Sequence, residues 1–228
     1  MAELGTVIVT GGASGLGQAI AEAVETAGGS PVVFDLKPPA NGFDHRLVDL
    51  ADTRSAEAAV RETAEERNGL DAVVTAAGTD ACGRIDQIAG ADWERVVGVN
   101  LLGTAAIVRA ALPYLERSGG RVVTVASTLG LRALGDATAY CASKFGVIGL
   151  SRALAAETAG RVGVTCLIPG GMQTAFFDGR DEQYKPGPDA QLAPPERVAE
   201  TVLFALTRSD GVEMRELVVC PSTEPSWP

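Results

Sequence analysis

The stretch Thr6-Val7-Ile8-Val9-Thr10-Gly11-Gly12-Ala13-Ser14-Gly15-Leu16-Gly17 decides the fold. Its first five residues are all β-branched, which is typical of a buried strand, and helix-forming residues from Gln18 to Ala27 follow the glycines. A strand, a glycine turn and a helix in this order allow backbone to approach a pyrophosphate, because the helix N-terminus supplies unpaired N–H groups and partial positive charge. The glycines lack the commoner Gly-x-Gly-x-x-Gly spacing, so the nucleotide-site prediction depends on their place at the first strand–helix turn.

The rest of the chain alternates between strand patterns and helix patterns. Strands are predicted at 31–34, 46–50, 72–76, 121–127, 162–168 and 216–220, and helices at 53–68, 91–117, 137–154 and 195–207. This alternation predicts an α/β fold in which a doubly wound parallel sheet carries helices on both faces. We find no interdomain linker and expect one dinucleotide-binding catalytic domain over 1–228. The irregular stretch 171–195 within it is either a substrate-covering loop or a disordered loop.

Composition excludes several classes of function. The chain has 228 residues, of which 46% are hydrophobic and 21% charged, so a folded core is expected. The formal net charge is −10, and no basic cluster is present that would attract nucleic acid or an anionic membrane. The first residues show no secretion signal, and no uninterrupted apolar stretch reaches the roughly eighteen residues of a membrane span. We therefore expect a cytoplasmic protein that binds neither nucleic acid nor membrane.

The cysteines and the histidine argue against a metal site. Four cysteines are scattered without the spacing of metal ligands, and His45 is the only histidine in the sequence. We expect no metal, and reduced, mostly buried thiols.

Tyr140 and Lys144 are the first candidate catalytic residues. They lie four positions apart in the predicted helix 137–154, so their side chains share one face. An ammonium group beside a phenol stabilises the phenolate and lowers the phenol pKa from its usual value of about 10. Tyr140 is therefore a candidate proton donor and acceptor, and Ser127, at the end of a predicted strand, could hold a substrate oxygen against it. A surface pair, or a packed aromatic with an extended lysine, is the other interpretation.

Asp35 is the candidate residue for cofactor selection. It ends the second predicted strand, about twenty residues after the glycines, where a carboxylate accepts hydrogen bonds from an adenosine ribose and repels a 2′-phosphate. This favours NAD over NADP, although the neighbouring Lys37 could reach a phosphate. Asp49 ends the third predicted strand and is either an adenine contact or a solvated loop carboxylate.

Asn100 stands among valines and leucines in the predicted helix 91–117. A polar amide there is costly unless its hydrogen bonds are made, so either structural bonding or a water relay to Lys144 is expected. Gly98 and Gly103 on either side of it predict a kink or a close helix contact.

These residues together resemble the short-chain dehydrogenase/reductase family, of the type that prefers NAD. The resemblance covers the whole chain through the segment 10–17, Asn100, Ser127, Tyr140-x-x-x-Lys144 and Pro169-Gly170-x-x-x-Thr174. It implies a Rossmann-type sheet of about seven strands and a nicotinamide cofactor. It also implies four catalytic residues: Tyr140 as general acid and base, Ser127 positioning the carbonyl, Lys144 binding the nicotinamide ribose and lowering the tyrosine pKa, and Asn100 holding a relay water.

The resemblance also implies a set of residues that hold NAD, with NADP the less favoured cofactor. They are Gly11, Ser14, Gly15, Leu16, Gly17, Asp35, Leu36, Asp49, Leu50, Ala77, Gly78, Tyr140, Lys144, Pro169, Gly170 and Thr174. One departure is plain, because the Asn-Asn-Ala-Gly of the family is replaced by Thr75-Ala76-Ala77-Gly78. We expect Thr75 to replace a hydrogen bond that stabilises the sheet. The resemblance further implies a homotetramer, or a homodimer, assembled through the Asn100 and Tyr140 helices.

The leading hypothesis is an NAD(H)-dependent oxidoreductase that interconverts a secondary alcohol and a ketone of a small-molecule substrate. Apolar side chains are expected to form the substrate wall, which favours an apolar or acyl-type substrate: Leu129, Leu131, Leu134, Met172, Phe176 and Phe177. An NADPH-dependent reductase of 3-oxoacyl thioesters on acyl-carrier protein is one alternative. A protein that binds and senses NAD(H) without turnover is another.

Overall fold

The computed structural model describes residues 4–208 and 211–224 and contains one seven-stranded sheet. All neighbouring strands are parallel, in the order β3-β2-β1-β4-β5-β6-β7. The predicted doubly wound α/β fold of Rossmann type is confirmed. The strands are β1 (Thr6–Thr10), β2 (Ser30–Asp35), β3 (His45–Leu47), β4 (Ala72–Thr75), β5 (Arg121–Val125), β6 (Gly163–Pro169) and β7 (Glu216–Val219).

Helices connect the strands and cover both faces of the sheet. They are α1 (Gly15–Thr26), α2 (Thr53–Glu66), α3 (Gly90–Val97), α4 (Thr104–Ser118), α5 (Thr138–Glu157) and α6 (Pro195–Leu206). Because successive side chains of a strand point to opposite faces, Val7 and Val9 pack with α1 and α6, whereas Ile8 packs with α2, α4 and α5. Strands buried on both faces explain why their sequences are continuous apolar runs.

The third strand is shorter than the sequence predicts. Pairing with β2 stops at Leu47, although the apolar pattern continues to Leu50. The Asp49 carboxylate accepts the Ala51 N–H at 2.9 Å and turns the chain towards α2. Val48 and Leu50 are nevertheless buried, so the pattern marks core residues that are not strand residues.

The predicted helix 91–117 is interrupted where Asn100 lies. A π-helical segment, Gly98–Gly103, joins α3 to α4. A Cβ atom on Gly103 would lie 2.7 Å from the Leu50 Cβ, so the predicted close contact is found there. The Cβ position of Gly98 faces open space, so of the two predicted alternatives, a kink or a close helix contact, the close contact is not found at Gly98.

The run Gly90–Ser118 is, among the residues described, the helical stretch long and apolar enough to cross a membrane by length and composition. In the fold it lies against the sheet, and 56% of its most apolar window is buried. Ile107, Ala111 and Leu115 are fully buried in the core on one face of the sheet. We therefore attribute its apolar character to core packing.

The order of the strands places a ligand site at one edge of the sheet. From β1 the chain proceeds outward to β2 and β3, and it then crosses back to begin the other half at β4. In open α/β sheets a crevice forms at the carboxyl ends of the two strands where this reversal occurs. Gly11 follows β1 and Ala76 follows β4, so both lie at that crevice.

Candidate active site

A cavity of about 1060 Å³ opens at the carboxyl edge of the sheet. Its lining comes from the ends of β1, β2, β4, β5 and β6, from α5 and from the loop 171–195. Every residue predicted to hold the cofactor lines it, and so do Ser127, Tyr140 and Lys144. Asn100, the remaining predicted catalytic residue, lies behind the wall. We call the part of the cavity around Gly11–Gly17, Asp35 and Asp49 the dinucleotide end, and the part beyond Tyr140 towards the loop 171–195 the substrate end.

The glycine turn lies flat against the strand ends. Gly11 has φ of 69°, a conformation that favours glycine, and a Cβ there would lie 2.7 Å from the Ala77 Cα. A Cβ on Gly17 would lie 2.2 Å from the Gly11 carbonyl oxygen. The turn therefore delivers the start of α1 to the cavity, where the N–H groups of a first helical turn have no intrahelical acceptor. This cradle fits a pyrophosphate group, and the exposed Ser14 at the helix start makes no capping bond with its own side chain.

The Asp35 carboxylate is held at the end of β2. Its Oδ2 accepts the Ala13 N–H at 3.1 Å and its Oδ1 accepts the Lys37 N–H at 3.2 Å. These two bonds orient the carboxylate beside the glycine turn. The Lys37 side chain is exposed and is not part of the lining. The basic residue that lines this end is Arg95, whose guanidinium lies 3.8 Å from the Asp49 carboxylate.

Helix α5 and the end of β5 bring three predicted catalytic side chains together. The Tyr140 and Ser127 hydroxyls share a hydrogen bond. Lys144 is 4% exposed, and its Nζ donates to the Val125 carbonyl oxygen at 2.9 Å. The same Nζ lies 5.5 Å from the centre of the Tyr140 ring. Tyr140 and Lys144 therefore share one face of α5 and the same cavity, as their spacing predicts.

The protonation states of this group differ from the sequence-based expectation. Burial raises the pKa of Tyr140 to about 12, although the hydrogen bond with Ser127 acts in the opposite direction. Burial also lowers the pKa of Lys144 to about 8. This direction is opposite to the lowered tyrosine pKa predicted from the Tyr–Lys spacing, because desolvation disfavours the phenolate.

The Asn100 side chain joins two parts of the site. Its Oδ1 accepts the Thr79 N–H at 2.8 Å, and its Nδ2 donates to the Thr79 carbonyl at 2.9 Å and to the Ser143 Oγ at 3.1 Å. The Ser143 hydroxyl in turn donates to the Tyr140 carbonyl at 2.7 Å. These bonds satisfy the buried amide and tie the loop after β4 to the helix that carries Tyr140. The structural interpretation of Asn100 thus accounts for its side chain, and the water relay stays a prediction.

An ion pair that the sequence analysis missed lies at the substrate end. The Arg180 Nη2 donates to the Asp80 Oδ2 at 2.6 Å, and the two side chains are 18% and 6% exposed. The guanidinium carbon lies 5.0 Å from the centre of the Phe176 ring and 4.6 Å from that of Phe177. Tyr184, in the same loop as Arg180, donates from its hydroxyl to Asp136 at 3.4 Å.

Comparison with known proteins agrees with this arrangement. The sequence profile of the short chain dehydrogenase family matches residues 5–185. The chain belongs to this family. D-threitol dehydrogenase of Mycolicibacterium smegmatis is 35% identical to it over 219 residues, which cover 86% of this chain and 84% of that protein.

Two further proteins show the range of relatives. A (2S)-[(R)-hydroxy(phenyl)methyl]succinyl-CoA dehydrogenase subunit, BbsD of Thauera aromatica, is 31% identical over 234 residues, covering 93% of this chain and 94% of that protein. The ligand-free structure of aldohexose dehydrogenase from Thermoplasma acidophilum is 26% identical, with a TM-score of 0.86, and covers 96% of this chain and 93% of that one. The protein is therefore an NAD(P)-dependent oxidoreductase that acts on alcohol or ketone groups.

Thr75-Ala76-Ala77-Gly78 replaces the Asn-Asn-Ala-Gly of short-chain dehydrogenases, and its loop is held by a different hydrogen bond from the one that we expected. Thr75 is buried, and its Oγ1 has no hydrogen-bond partner among the residues described, so the predicted replacement bond is wrong. The bond to this loop comes from the neighbouring strand, where the Thr10 Oγ1 accepts the Ala77 N–H at 3.1 Å. Thr10 lies next to Thr75 in the register of β1 and β4, which explains how it can take over the connection.

The predicted apolar wall of the dehydrogenase is partly correct. Leu129, Leu134, Met172 and the Phe176-Phe177 pair line the cavity, and the Phe176 ring lies 5.7 Å from the Tyr140 ring. The prediction for Leu131 is wrong, because this side chain packs against a small core cluster that includes Val147 and Ile148 of α5. Charged and polar lining was missed altogether: Asp80, Cys82, Asp136, Arg180, Gln183, Tyr184, Lys185, Asp189, Gln191 and Glu224. In the sequence, only the position of Asp80 in the loop after a predicted strand could have indicated that this side chain lines the cavity.

The four cysteines of the enzyme are free thiols, of which Cys141 and Cys166 are buried and Cys82 and Cys220 are partly exposed. Within the described ranges, no group of three or more His, Cys, Asp or Glu side chains could hold a metal ion.

Proposed function

We propose that this dehydrogenase interconverts a secondary alcohol and a ketone with NAD(H), and that Tyr140 is its general acid and base. The observation that supports this is the Tyr140–Ser127 hydroxyl pair, which lines the same cavity as the glycine turn and Asp35. When bound, the nicotinamide accepts or supplies a hydride at the substrate carbon. The substrate oxygen must lose or gain a proton in the same reaction, and the Tyr140 hydroxyl is the group we propose to carry it.

The other catalytic residues have positioning and electrostatic roles in this proposal. The Ser127 hydroxyl holds the substrate oxygen beside Tyr140. Lys144 binds the nicotinamide ribose with its ammonium group and favours the phenolate when it is charged. Asn100 holds the loop after β4 and the helix α5 together. We also propose the relay water to Lys144; the Asn100 Oδ1 and the Lys144 Nζ both lie near Gly78, 3.6 Å from where its Cβ would be.

We propose NAD rather than NADP because Asp35 lines the dinucleotide end, where a carboxylate would repel a 2′-phosphate, whereas Lys37 is exposed and is not part of the lining. In this proposal the start of α1, with Gly11, binds the pyrophosphate, and the remaining predicted residues hold the adenine and nicotinamide portions. These residues are Leu36, Asp49, Leu50, Ala77, Gly78, Pro169, Gly170 and Thr174.

Two other functions were open from the sequence. A reductase of 3-oxoacyl thioesters with NADPH is the nearer one, since one relative is named for a coenzyme A thioester. The other relative is named for threitol, a neutral polyol, so the names leave the substrate class open. A sensor of NAD(H) without turnover is disfavoured, because binding alone does not require Ser127, Tyr140 and Lys144 to meet in one cavity.

We further propose a cytoplasmic homotetramer or homodimer in which residues 1–228 form one domain and the loop 171–195 covers the substrate. Leu102 and Phe145 are 54% and 46% exposed on the π-helical segment and on α5, so apolar surface is available on the two helical elements expected to assemble. A larger contiguous apolar patch built around these two side chains is what a protein–protein contact would require.

The test is steady-state turnover of a panel of secondary alcohols and their ketones with each of the two cofactor pairs. Oxidation with NAD⁺ at a higher kcat/KM than with NADP⁺ is the expected result. Preference for NADPH together with reduction of a 3-oxoacyl thioester would replace this proposal with the reductase. Tight NADH binding without turnover of any member would favour the sensor.

A further inference from the structure

We propose that the Asp80–Arg180 ion pair is the specificity-determining subsite of the substrate end, and that it selects neutral substrates with a hydroxyl on the carbon next to the reacting one. The substrate class is then a polyol or the corresponding hydroxy ketone. This inference rests on the proposed function, because it names the substrate of the same site. It replaces the expectation of an apolar or acyl-type substrate, which was based on the apolar wall alone.

The pair lies close to the proposed reacting group. Phe176 contacts both, with its ring centre 5.7 Å from that of Tyr140 and 5.0 Å from the Arg180 guanidinium carbon. The charges also reach the catalytic side chains, since Asp80 raises the pKa of both Tyr140 and Lys144 while Arg180 lowers that of Tyr140. Tyr140 and the pair therefore line the same cavity, close enough for their charges to interact.

The pair retains hydrogen-bonding capacity that a hydroxyl can use. A guanidinium has five N–H donors, and Arg180 uses Nη2 for Asp80 and Nη1 for the Tyr184 carbonyl at 3.3 Å. Its Nε is buried and has no partner among the residues described. Asp80 accepts the Ala81 N–H on Oδ1 at 2.7 Å, and on Oδ2 it accepts from Arg180 and, at 3.3 Å, from the Cys82 thiol, which leaves a lone pair on Oδ1. A hydroxyl both donates and accepts, so it can bridge Asp80 and Arg180.

Charge at the substrate end disfavours anionic substrates. The pair itself is neutral in sum, so Arg180 cannot attract a carboxylate or phosphate without Asp80 repelling it. The other charged side chains that line this part are three acids, Asp136, Asp189 and Glu224, and one base, Lys185, which is paired with Glu182. The chain as a whole carries −10. A thioester linked to phosphates meets repulsion here that a neutral polyol does not.

A purely structural role for the pair makes a different prediction. Arg180 belongs to the loop 171–195 and Asp80 to the loop after β4, so the bond also ties these loops together. If that were its only role, loosening it would change kcat/KM for every substrate by a similar factor. A recognition role changes the ratio between a substrate that has the second hydroxyl and one that lacks it, because a buried polar site discriminates strongly against a missing partner.

The experiment compares three four-carbon compounds with NAD⁺: the enantiomers of butan-2-ol, the stereoisomers of butane-2,3-diol, and 3-hydroxybutyrate. The wild-type enzyme is expected to favour the best diol over the best butan-2-ol by about tenfold or more in kcat/KM, with 3-hydroxybutyrate the poorest. In the double variant Asp80→Asn/Arg180→Gln, which leaves no unpaired charge, the diol preference should fall about tenfold. Glu182→Gln, a carboxylate-to-amide change in the same loop outside the cavity lining, should keep the preference.

Several results would overturn the inference. They are an unchanged diol preference in the double variant, equal kcat/KM for diol and monoalcohol in the wild type, or a preference for 3-hydroxybutyrate. In each of these the enzyme still turns over, so the proposed function stands. Wild-type protein that binds NADH but oxidises no compound would overturn the proposed function as well. NADH titration and thermal unfolding of each variant establish that the fold is intact, and the single variant Asp80→Asn provides the same ratio if the double variant does not fold.

Discussion

The dinucleotide end of the cavity is built from backbone at strand ends, whereas the substrate end is built from side chains that meet across loops. Gly11, Gly17 and Asp35 lie within one strand–turn–helix–strand unit, and the bond from Ala13 to Asp35 spans 22 residues. The bond between Asp80 and Arg180 spans 100 residues and joins two irregular segments. A rigid unit that holds a constant cofactor is thus combined with loops whose side chains can differ between relatives.

The catalytic cluster lies where these two ends meet. Ser127 follows β5 and Tyr140 lies in the first turn of α5, so both are held by regular elements. Tyr140 contacts the substrate end through Phe176, and Lys144 lies near Gly78 at the dinucleotide end. The proposed proton-transfer group is therefore held by the scaffold, while its surroundings on one side come from a loop.

The largest expected effect is on turnover in Tyr140→Phe. Removing the hydroxyl removes the proposed proton-transfer group, which should lower kcat by about 10²–10⁴-fold. NADH binding, measured by fluorescence titration, should change little because the dinucleotide end is untouched. Turnover close to that of the wild type would contradict the proposed role of Tyr140.

The next effect compares glycine-to-alanine changes at the two ends. In Gly17→Ala the new Cβ would lie 2.2 Å from the Gly11 carbonyl oxygen, so the glycine turn must shift. We expect a loss of about 2–3 kcal/mol of stability and NADH binding weakened by at least about tenfold. Gly179→Ala is the matched control, because Gly179 has nothing within 4 Å of the Cβ position and should tolerate the change. If denaturant unfolding gave equal losses of stability for both variants, the two ends would tolerate an added methyl group equally well.

Cofactor preference should depend on Asp35 alone at the dinucleotide end. In Asp35→Ala the carboxylate that would repel a 2′-phosphate is lost, and we expect the preference for NADH over NADPH to fall by about tenfold. Lys37→Ala is the control, because the Lys37 side chain lies outside the lining. Titrations with both cofactors measure the preference. NADPH binding more tightly than NADH in the wild type, and weakening in Lys37→Ala, would reverse the assignment.

The same contrast explains how much of the molecule could be predicted from sequence. The alternation of strands and helices, the glycine turn and Asp35 follow from local patterns, because neighbouring residues build them. The ion pair between Asp80 and Arg180 could not be found from spacing, since only the folded chain brings them together. The predicted end of β3 was wrong because the Asp49 carboxylate accepts a backbone N–H and forms a turn that competes with strand pairing. The glycines on either side of Asn100 predicted a kink or a close helix contact, whereas the π-helical form of Gly98–Gly103 was not predicted.

The Tyr140 pKa illustrates the same limit at the level of chemistry. Spacing places Tyr140 and Lys144 on one helical face and so predicts which groups interact. It does not predict how far the phenol is removed from solvent, and this desolvation raises the tyrosine pKa to about 12. A lowered pKa then requires a further positive charge in the cavity, such as the ring of bound NAD⁺. Tyrosinate absorbance titrated with and without NAD⁺, with Tyr140→Phe as the blank, should show the pKa falling on binding. An unchanged titration would contradict this account.

The smallest expected effect is the pH dependence of stability that Lys144 causes. Its pKa is about 8 in the folded protein, whereas a solvated lysine side chain, as in the unfolded chain, has a pKa of 10.5. Between these values the unfolded state binds the proton and the folded state does not, so the free energy of unfolding rises with pH. From pH 7 to pH 9 the rise should be about 1 kcal/mol.

Lys144→Met lacks this contribution, so the stability of the wild type relative to this variant should increase over the same range in urea unfolding. Lys37→Met, which changes an exposed lysine at the dinucleotide end, should leave the wild-type pH dependence in place. A difference between wild type and Lys144→Met that is constant with pH would show that the ammonium is not desolvated, and that the lysine acts from a solvated position at the boundary of the two ends.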